Sequence, residues 1–435
     1  MSEISHIEVV ERVLIVHPVF TNVHTSLRGD AEQAMEEACG LTEAINLEIA
    51  ATLQVNIREI QAGYLFGKGT RETIEKAVEV HEPDVVLVNY TLSPVQQRNL
   101  EKEFNVKIID RTGLILEIFG MRAQTKEGRI QVELAQLDYQ RSRLVKSWSH
   151  LERQRGGQSF VGGPGESQLE LDKRILAERM ANLKRELEKV RKTRELGRKA
   201  REKVPFPVIA LVGYTNAGKS TLFNRLTGAD VFAQDLLFAT LDPTLRRIEL
   251  PSGRVVIISD TVGFISDLPT HLIEAFRATL EQTQYADVIL HVRDSTQNNY
   301  ESHKKEVIRI MKDLGINYES DERVFEVINK IDVCPEIRRA EILRDDNFNH
   351  HVIGISAQTG ENIDKLLEVI DDFLSKNFAH IQYEVPLSDG KALAWLYQHG
   401  EVIKTEEGGD VIKIFVHIDP ANQNRFESTF HYAAI

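Results

Sequence analysis

At 435 residues, with 42% hydrophobic residues, 27% charged residues and a net charge of −13, the chain has the make-up of a globular protein of about three domains with ample core. No apolar run of about 18 residues occurs and the N-terminus carries no charged-then-apolar leader, which argues against membrane insertion and secretion. Two cysteines, Cys39 and Cys334, are too few for a disulfide scaffold or a zinc site and fit a reducing, cytoplasmic setting.

Residues 1–125 alternate strand-like runs at 13–16, 84–88 and 106–109 with helix-like stretches near 29–40, 70–80 and 93–103, the pattern of an α/β layer domain. Within it, Gly63-Tyr64-Leu65-Phe66-Gly67-Lys68-Gly69-Thr70 approaches a phosphate-binding loop. Its spacer is one residue short and Gly69 separates lysine from threonine, so it is read as a turn capping a helix that starts at Thr70.

Residues 126–203 change pattern. Ile130, Leu134, Leu137, Leu144, Trp148 and Leu151 keep helical spacing, and Leu169, Leu176, Met180, Leu183, Leu187 and Val190 step by seven, four, three, four and three. Two long helices with complementary stripes, joined by a glycine-rich segment at 154–165, make an antiparallel hairpin. Residues 140–203 hold eighteen Lys and Arg against nine Asp and Glu, a surplus of nine positive charges in an acidic chain. Mixed charge alone would suit a solvated helical face. An excess of one sign favours a phosphate-backbone partner, RNA first, with Arg153, Arg155, Lys173 and Arg174 as contacts.

Residues 204–378 hold the nucleotide chemistry. The apolar run 206–212 reads as a buried parallel strand, and Gly213-Tyr214-Thr215-Asn216-Ala217-Gly218-Lys219-Ser220-Thr221 follows as a P-loop opening a helix. Its glycines let backbone N–H groups face phosphates, Lys219 reaches the β/γ-phosphates, and the Ser220 hydroxyl can ligate Mg²⁺. Asn329-Lys330-Ile331-Asp332 resembles the guanine-specificity motif of GTPases. Asp332 there accepts the guanine N1–H and 2-amino group, which adenine cannot match. Ser356-Ala357-Gln358 resembles the backing motif that meets guanine O6. Asp260, closing the strand at 255–258, is placed to hold Mg²⁺ through water, and Gly263 offers its N–H to the γ-phosphate. Phe264 stands where many GTPases carry the glutamine that orients the attacking water. From residue 379 on, strand-like 381–385, helix-like 393–397 and two runs flanking Glu406-Glu407-Gly408-Gly409-Asp410 read as a small α/β C-terminal module for docking or packing.

With Gly163-Pro164-Gly165-Glu166-Ser167-Gln168-Leu169-Glu170-Leu171-Asp172-Lys173-Arg174, Phe238-Ala239-Thr240-Leu241-Asp242-Pro243-Thr244 and Asp260-Thr261-Val262-Gly263-Phe264 beside the P-loop, essentially the whole chain resembles the HflX family. These are ribosome-associated GTPases of the Obg–HflX group. Lys173 departs from the arginine that often follows the aspartate there, with charge kept. The resemblance implies binding to the large ribosomal subunit and its rRNA, and dissociation of stalled or stressed ribosomes.

The expected fold is α/β: a P-loop GTPase domain with an N-terminal α/β domain, a long helical hairpin and a small C-terminal module. GTP or GDP is expected on residues 213–221, Phe238, Ala239, Thr240, Leu241, Asp242, Asp260, Thr261, Val262, Gly263, Asn329, Lys330, Asp332, Ser356, Ala357 and Gln358. Catalysis falls to Lys219, Thr240 and Gly263, and Mg²⁺ to Ser220, Thr240 and Asp260, with Thr244 as the fallback for Thr240. Hydrolysis would let residues 233–244 and 263–270 relax. The P-loop also resembles those of potassium-dependent GTPases, leaving Asn216 either to help hold a K⁺ or to brace the loop. Two other readings stand beside this one. A tRNA-modifying GTPase would need a C-terminal cysteine motif, absent from the last hundred residues. An ATP-driven RNA remodeller would place ATP in the N-terminal domain, on the Gly67-Lys68 turn.

Overall fold

A computed structural model of the chain describes residues 11–21, 31–154, 168–201, 206–228, 237–238, 244–265, 283–297, 300–348, 351–377, 379–418 and 420–435. Arg155, most of the glycine-rich segment, Ala239, Thr240, Leu241 and Asp242 lie outside them, as does the Arg153 side chain. The chain divides into two compact units. One comprises Met1–Glu188, Gln234–Asp242 and Ile265–Arg277, and the other Lys189–Ala233, Pro243–Phe264 and Ala278–Ile435.

The first unit opens with β1 (Arg12–Phe20), α1 (Ala31–Glu43), β2 (Glu48–Ile57), α2 (Lys68–His81), β3 (Val85–Val88), α3 (Pro94–Phe104), β4 (Lys107–Asp110) and α4 (Arg111–Arg122). Its strands form a parallel sheet in the order β2-β1-β3-β4. Leu14, Ile15 and Val16 of β1 and all of β3 are buried, as expected of central parallel strands with apolar side chains on both faces. The edge strand β2, half-exposed along much of its length, has no such run and was not expected from sequence. Helix α2 starts at Lys68 rather than Thr70 and is capped by Gly67. Lys68 points outward, 85% exposed, toward Glu72 at 3.9 Å, and the space around Gly67 and Gly69 is open. This is helix-start geometry with no phosphate cradle around the lysine.

Helices α5 (Lys126–Gln154) and α6 (Gln168–Arg201) follow. Lys126 pairs with Glu186 at 2.8 Å and Glu133 with Arg179 at 2.6 Å. Seven residues forward on one helix match seven back on the other, so the helices run antiparallel, as the two stripes predicted. Ile130, Met180 and Leu183 of those stripes are buried. Helix α5 also buries Gln131, Val132 and Ala135, a second face that the stripe reading missed.

That face is anchored by Asp110, fully buried, which caps α4 through the Gly113 N–H at 2.8 Å. It also accepts the Leu92 N–H at 3.1 Å, the Tyr139 hydroxyl at 2.5 Å and the Arg143 guanidinium at 2.9 Å. Burial and then the Asp110 charge push the Tyr139 phenol well above its ordinary range, so it stays protonated and donates to Asp110.

The second unit contains β5 (Val208–Gly213), α7 (Lys219–Thr227), β6 (Thr244–Glu249), β7 (Val255–Asp260), β8 (Val288–Asp294), α8 (Tyr300–Asp313), β9 (Val324–Asn329), α9 (Glu336–Phe348), β10 (Val352–Gly354) and α10 (Ile363–Asn377). The sheet order is β10-β9-β8-β5-β7-β6, parallel except for β6. Apolar clusters fill both of its faces, one around Phe223, Phe325 and Leu366 and the other around Phe264, Val307 and Met311. The unit ends with β11 (Ala379–Pro386), α11 (Gly390–His399), β12 (Glu401–Gly408), β13 (Val411–Ile418) and α12 (Pro420–Phe430). These form an antiparallel β11-β13-β12 sheet packed on its two helices. Gly409, at φ +71°, makes the tight turn between β12 and β13. The strand, helix and turn expected here are present, and α12 is an addition. Among the described residues no helix is long and apolar enough to cross a membrane.

Asp110→Ala would leave Arg143, Tyr139 and two backbone donors unanswered around a buried position. The expected cost is about 3–5 kcal/mol, read as a lowered midpoint in urea unfolding of the full chain followed by circular dichroism. A loss under about 1 kcal/mol would contradict the anchoring role.

Candidate nucleotide site

The site sits at the C-terminal ends of β5, β7 and β9, where a parallel α/β sheet leaves its binding crevice. Strand β5 ends at Gly213, the loop turns through Asn216 at φ +58° and Gly218 at φ +89°, and α7 begins at Lys219. A side chain at Gly218 would run into the Asn329 amide. That amide donates to the Ala217 carbonyl at 2.9 Å, and its oxygen accepts the Ala357 N–H at 2.9 Å. Arg225 on α7 donates to the Ala357 carbonyl at 3.0 Å and to that of Gln358. P-loop, guanine motif and backing motif are thereby brought together as the sequence placed them. The Arg225 clamp was invisible beforehand because no motif marks it.

One oxygen of Asp332, Oδ1, is buried without a hydrogen-bond partner. An orphaned buried acceptor costs roughly 1–3 kcal/mol, and the paired donors of guanine would satisfy it. Lys330, at φ +65°, directs its ammonium to Asp294 at 2.8 Å. The Lys219 ammonium is buried and donates to the Tyr214 carbonyl at 2.8 Å. Burial pulls its pKa down to about 8, against the opposing pull of the Asp260 carboxylate.

The Ser220 hydroxyl donates to Asp260 at 2.9 Å, so two hard oxygen donors already stand together. This pair fits Mg²⁺, which would neutralise charge on the phosphate oxygens when bound. Thr240, the third expected donor, lies outside the described residues. Thr261 donates to the Leu211 carbonyl at 2.5 Å, and Val262 is buried. Gly263 lies against the P-loop, where a Cβ would come 2.7 Å from Thr215 Cγ2 and 3.0 Å from Lys219 Nζ. Phe238 is placed in the first unit, edge-on to Phe119 with ring centroids 4.7 Å apart. Asn216 is exposed and holds a left-handed conformation that asparagine adopts readily, which accounts for the residue without a cation. Sequence reasoning also missed His303, stacked on the Tyr214 ring at 3.8 Å. On the hairpin, Lys173 is half-buried and Arg174 exposed, the latter 4.0 Å from Glu178.

Family comparison follows this geometry along the chain. Family models described as GTP-binding GTPase N-terminal, GTP-binding GTPase Middle Region, 50S ribosome-binding GTPase and HflX C-terminal domain match residues 32–120, 122–201, 208–330 and 341–428. A GTPase HflX of Magnetococcus marinus is 45% identical over 402 residues, covering 92% of this chain and 91% of its own. The chain belongs to the HflX family of GTPases. The Escherichia coli GTPase HflX is 40% identical over 403 residues, covering 92% of each chain. A solved complex of SsGBP and GDP, at 22% identity, has the same fold with a TM-score of 0.51 over 84% of this chain and 99% of that one. As an HflX family member the protein is an enzyme that hydrolyses GTP.

Two outcomes follow for nucleotide binding. Phosphate favours the charged form of Lys219, so binding takes up a proton once pH passes about 8. Affinity for a fluorescent GDP should fall about tenfold from pH 7 to pH 9, and a flat profile in titration would refute the buried-lysine assignment. Asp332→Asn should weaken GTP by about 10–100-fold and partly restore xanthosine triphosphate, because the amide donates where the carboxylate accepted. Unchanged GTP affinity would remove Asp332 from base recognition.

Proposed function

We propose that this GTPase uses its nucleotide state to control binding to the large ribosomal subunit and that it dissociates stalled or stressed ribosomes in the cytoplasm. The observation that carries the proposal is the antiparallel hairpin. Its basic surplus, in a chain of net charge −13, suits counterion release from rRNA phosphates. The matching family description, 50S ribosome-binding GTPase, supports the same partner.

In this reading Lys219 and the Gly263 N–H stabilise charge on the γ-phosphate, and Ser220, Asp260 and Thr240 hold Mg²⁺. Loss of the γ-phosphate withdraws contacts from both switch segments. The Phe264 side chain cannot hydrogen-bond water, so the free protein hydrolyses slowly and the ribosome completes the site. Asn216 is assigned to bracing the loop, with K⁺ as the alternative.

Neutralising Arg153, Arg155, Lys173 and Arg174 together should lower large-subunit affinity and flatten its dependence on salt by about 3–4 units of log–log slope. GTP affinity should not change. Sedimentation binding across a salt series reads both quantities, and an unaltered slope would reduce the hairpin to a spacer.

A further inference from the structure

Strands β5 and β7 pair in parallel with Val208 opposite Ile257, Ile209 opposite Ile258 and Ala210 opposite Ser259. Beyond the strand ends the pairing resumes once, with Tyr214 opposite Phe264. The Phe264 N–H donates to the Gly213 carbonyl at 3.0 Å, and the Thr215 N–H donates to the Phe264 carbonyl at 2.7 Å. The register has slipped by one residue between the two stretches, so the β7 side carries one residue more than the β5 side. An extra residue of this kind bends the chain locally and re-aims what it carries. Here it presses Gly263 against Thr215 and Lys219, closely enough that a Cβ would lie 2.9 Å from the Thr215 Cα.

The two hydrogen bonds are made by main chain and do not specify a residue at 264. The ring does. Phe264 is 4% exposed and packs with Tyr214, Val212, Ile289, Val307 and Ile310 on one face of the sheet. A glutamine there would carry an amide into an apolar cluster, or swing out and release both hydrogen bonds.

We infer that Phe264 is a positioning residue: its ring and its two main-chain bonds to the P-loop hold Gly263 at the γ-phosphate position before nucleotide arrives. The inference rests on the reading of Gly263 as the γ-phosphate contact. Phenylalanine at this position is then a clamp, and restoring the glutamine of other GTPases damages the site.

The test compares affinities for GDP and for a non-hydrolysable GTP analogue in the full chain. Phe264→Gln should weaken the GTP analogue about tenfold while GDP binding stays within about twofold, since only the γ-phosphate meets Gly263. Phe264→Leu, which keeps an apolar side chain in the cluster, should retain the wild-type ratio. Equal losses for both nucleotides in Phe264→Gln, or a GTPase rate raised by that substitution, would overturn the inference. Hydrogen exchange on the wild-type protein gives a measurement that needs no variant to fold. The Thr215 and Phe264 amides should be protected with GDP and with the GTP analogue alike, and exchange at open-loop rates with GDP would overturn the clamp. Gly263→Ala tests the underlying reading separately. Unaltered preference for the GTP analogue there would sink the γ-phosphate role, even with both amides protected.

Discussion

The Asn329 side chain bridges two main-chain segments that come from opposite ends of the GTPase fold. Its nitrogen holds the Ala217 carbonyl of the P-loop, and its oxygen holds the Ala357 N–H of the backing loop. At 2% exposure the amide has no water to fall back on, so each bond left unmade would cost roughly 1–3 kcal/mol. The bridge works only because Gly218 has no side chain. It also fixes the start of the segment that carries Asp332, three residues on. One amide therefore ties the P-loop to the guanine-motif and backing segments.

Two charged groups of the candidate site are only partly compensated by protein atoms. Lys219 is a buried cation whose carboxylate neighbour, Asp260, offsets only part of the cost of burial. Asp332 keeps a buried oxygen without a donor. In the proposed reading a guanine nucleotide would answer both at once, with phosphate oxygens for the ammonium and ring donors for the carboxylate. An adenine nucleotide would answer the first and leave the second.

The P-loop, guanine-motif and backing segments that the structure brings together were legible in the sequence because the chemistry expected of them fixes both type and spacing: glycines where backbone must approach, lysine for phosphate, aspartate for guanine. Much of the scaffold was less legible. Strand β8 is buried along its length yet includes His291, Arg293 and Asp294. Two of its polar residues find partners, His291 in the Tyr318 hydroxyl at 2.6 Å from the turn after α8 and Arg293 in Glu326 of β9 at 2.5 Å. Burial drives the His291 pKa down to about 3, with the positive charge of Arg293 acting in the same direction, so it sits neutral inside a strand that a hydropathy pattern would pass over. Helix α4 was not read from the sequence either; Asp110 and Arg111, polar by type, are its buried cap and first residue.

The hairpin shows how little of its order comes from its charges. The pairs Lys126–Glu186 and Glu133–Arg179 report the register, but their side chains are 37–69% exposed, where such pairs contribute at most about 1 kcal/mol and weaken with salt. What holds α5 in place is burial on two sides: Ile130 with Met180 and Leu183 in the helix stripes, and Val132 and Ala135 on the adjoining face, which Tyr139 and Arg143 tie to Asp110. Because these apolar contacts and the buried aspartate carry the stability, the exposed lysines and arginines could exchange their weak surface pairs for the phosphate-backbone partner proposed above. Engaging them costs the fold little, since the surface pairs given up contributed little to it.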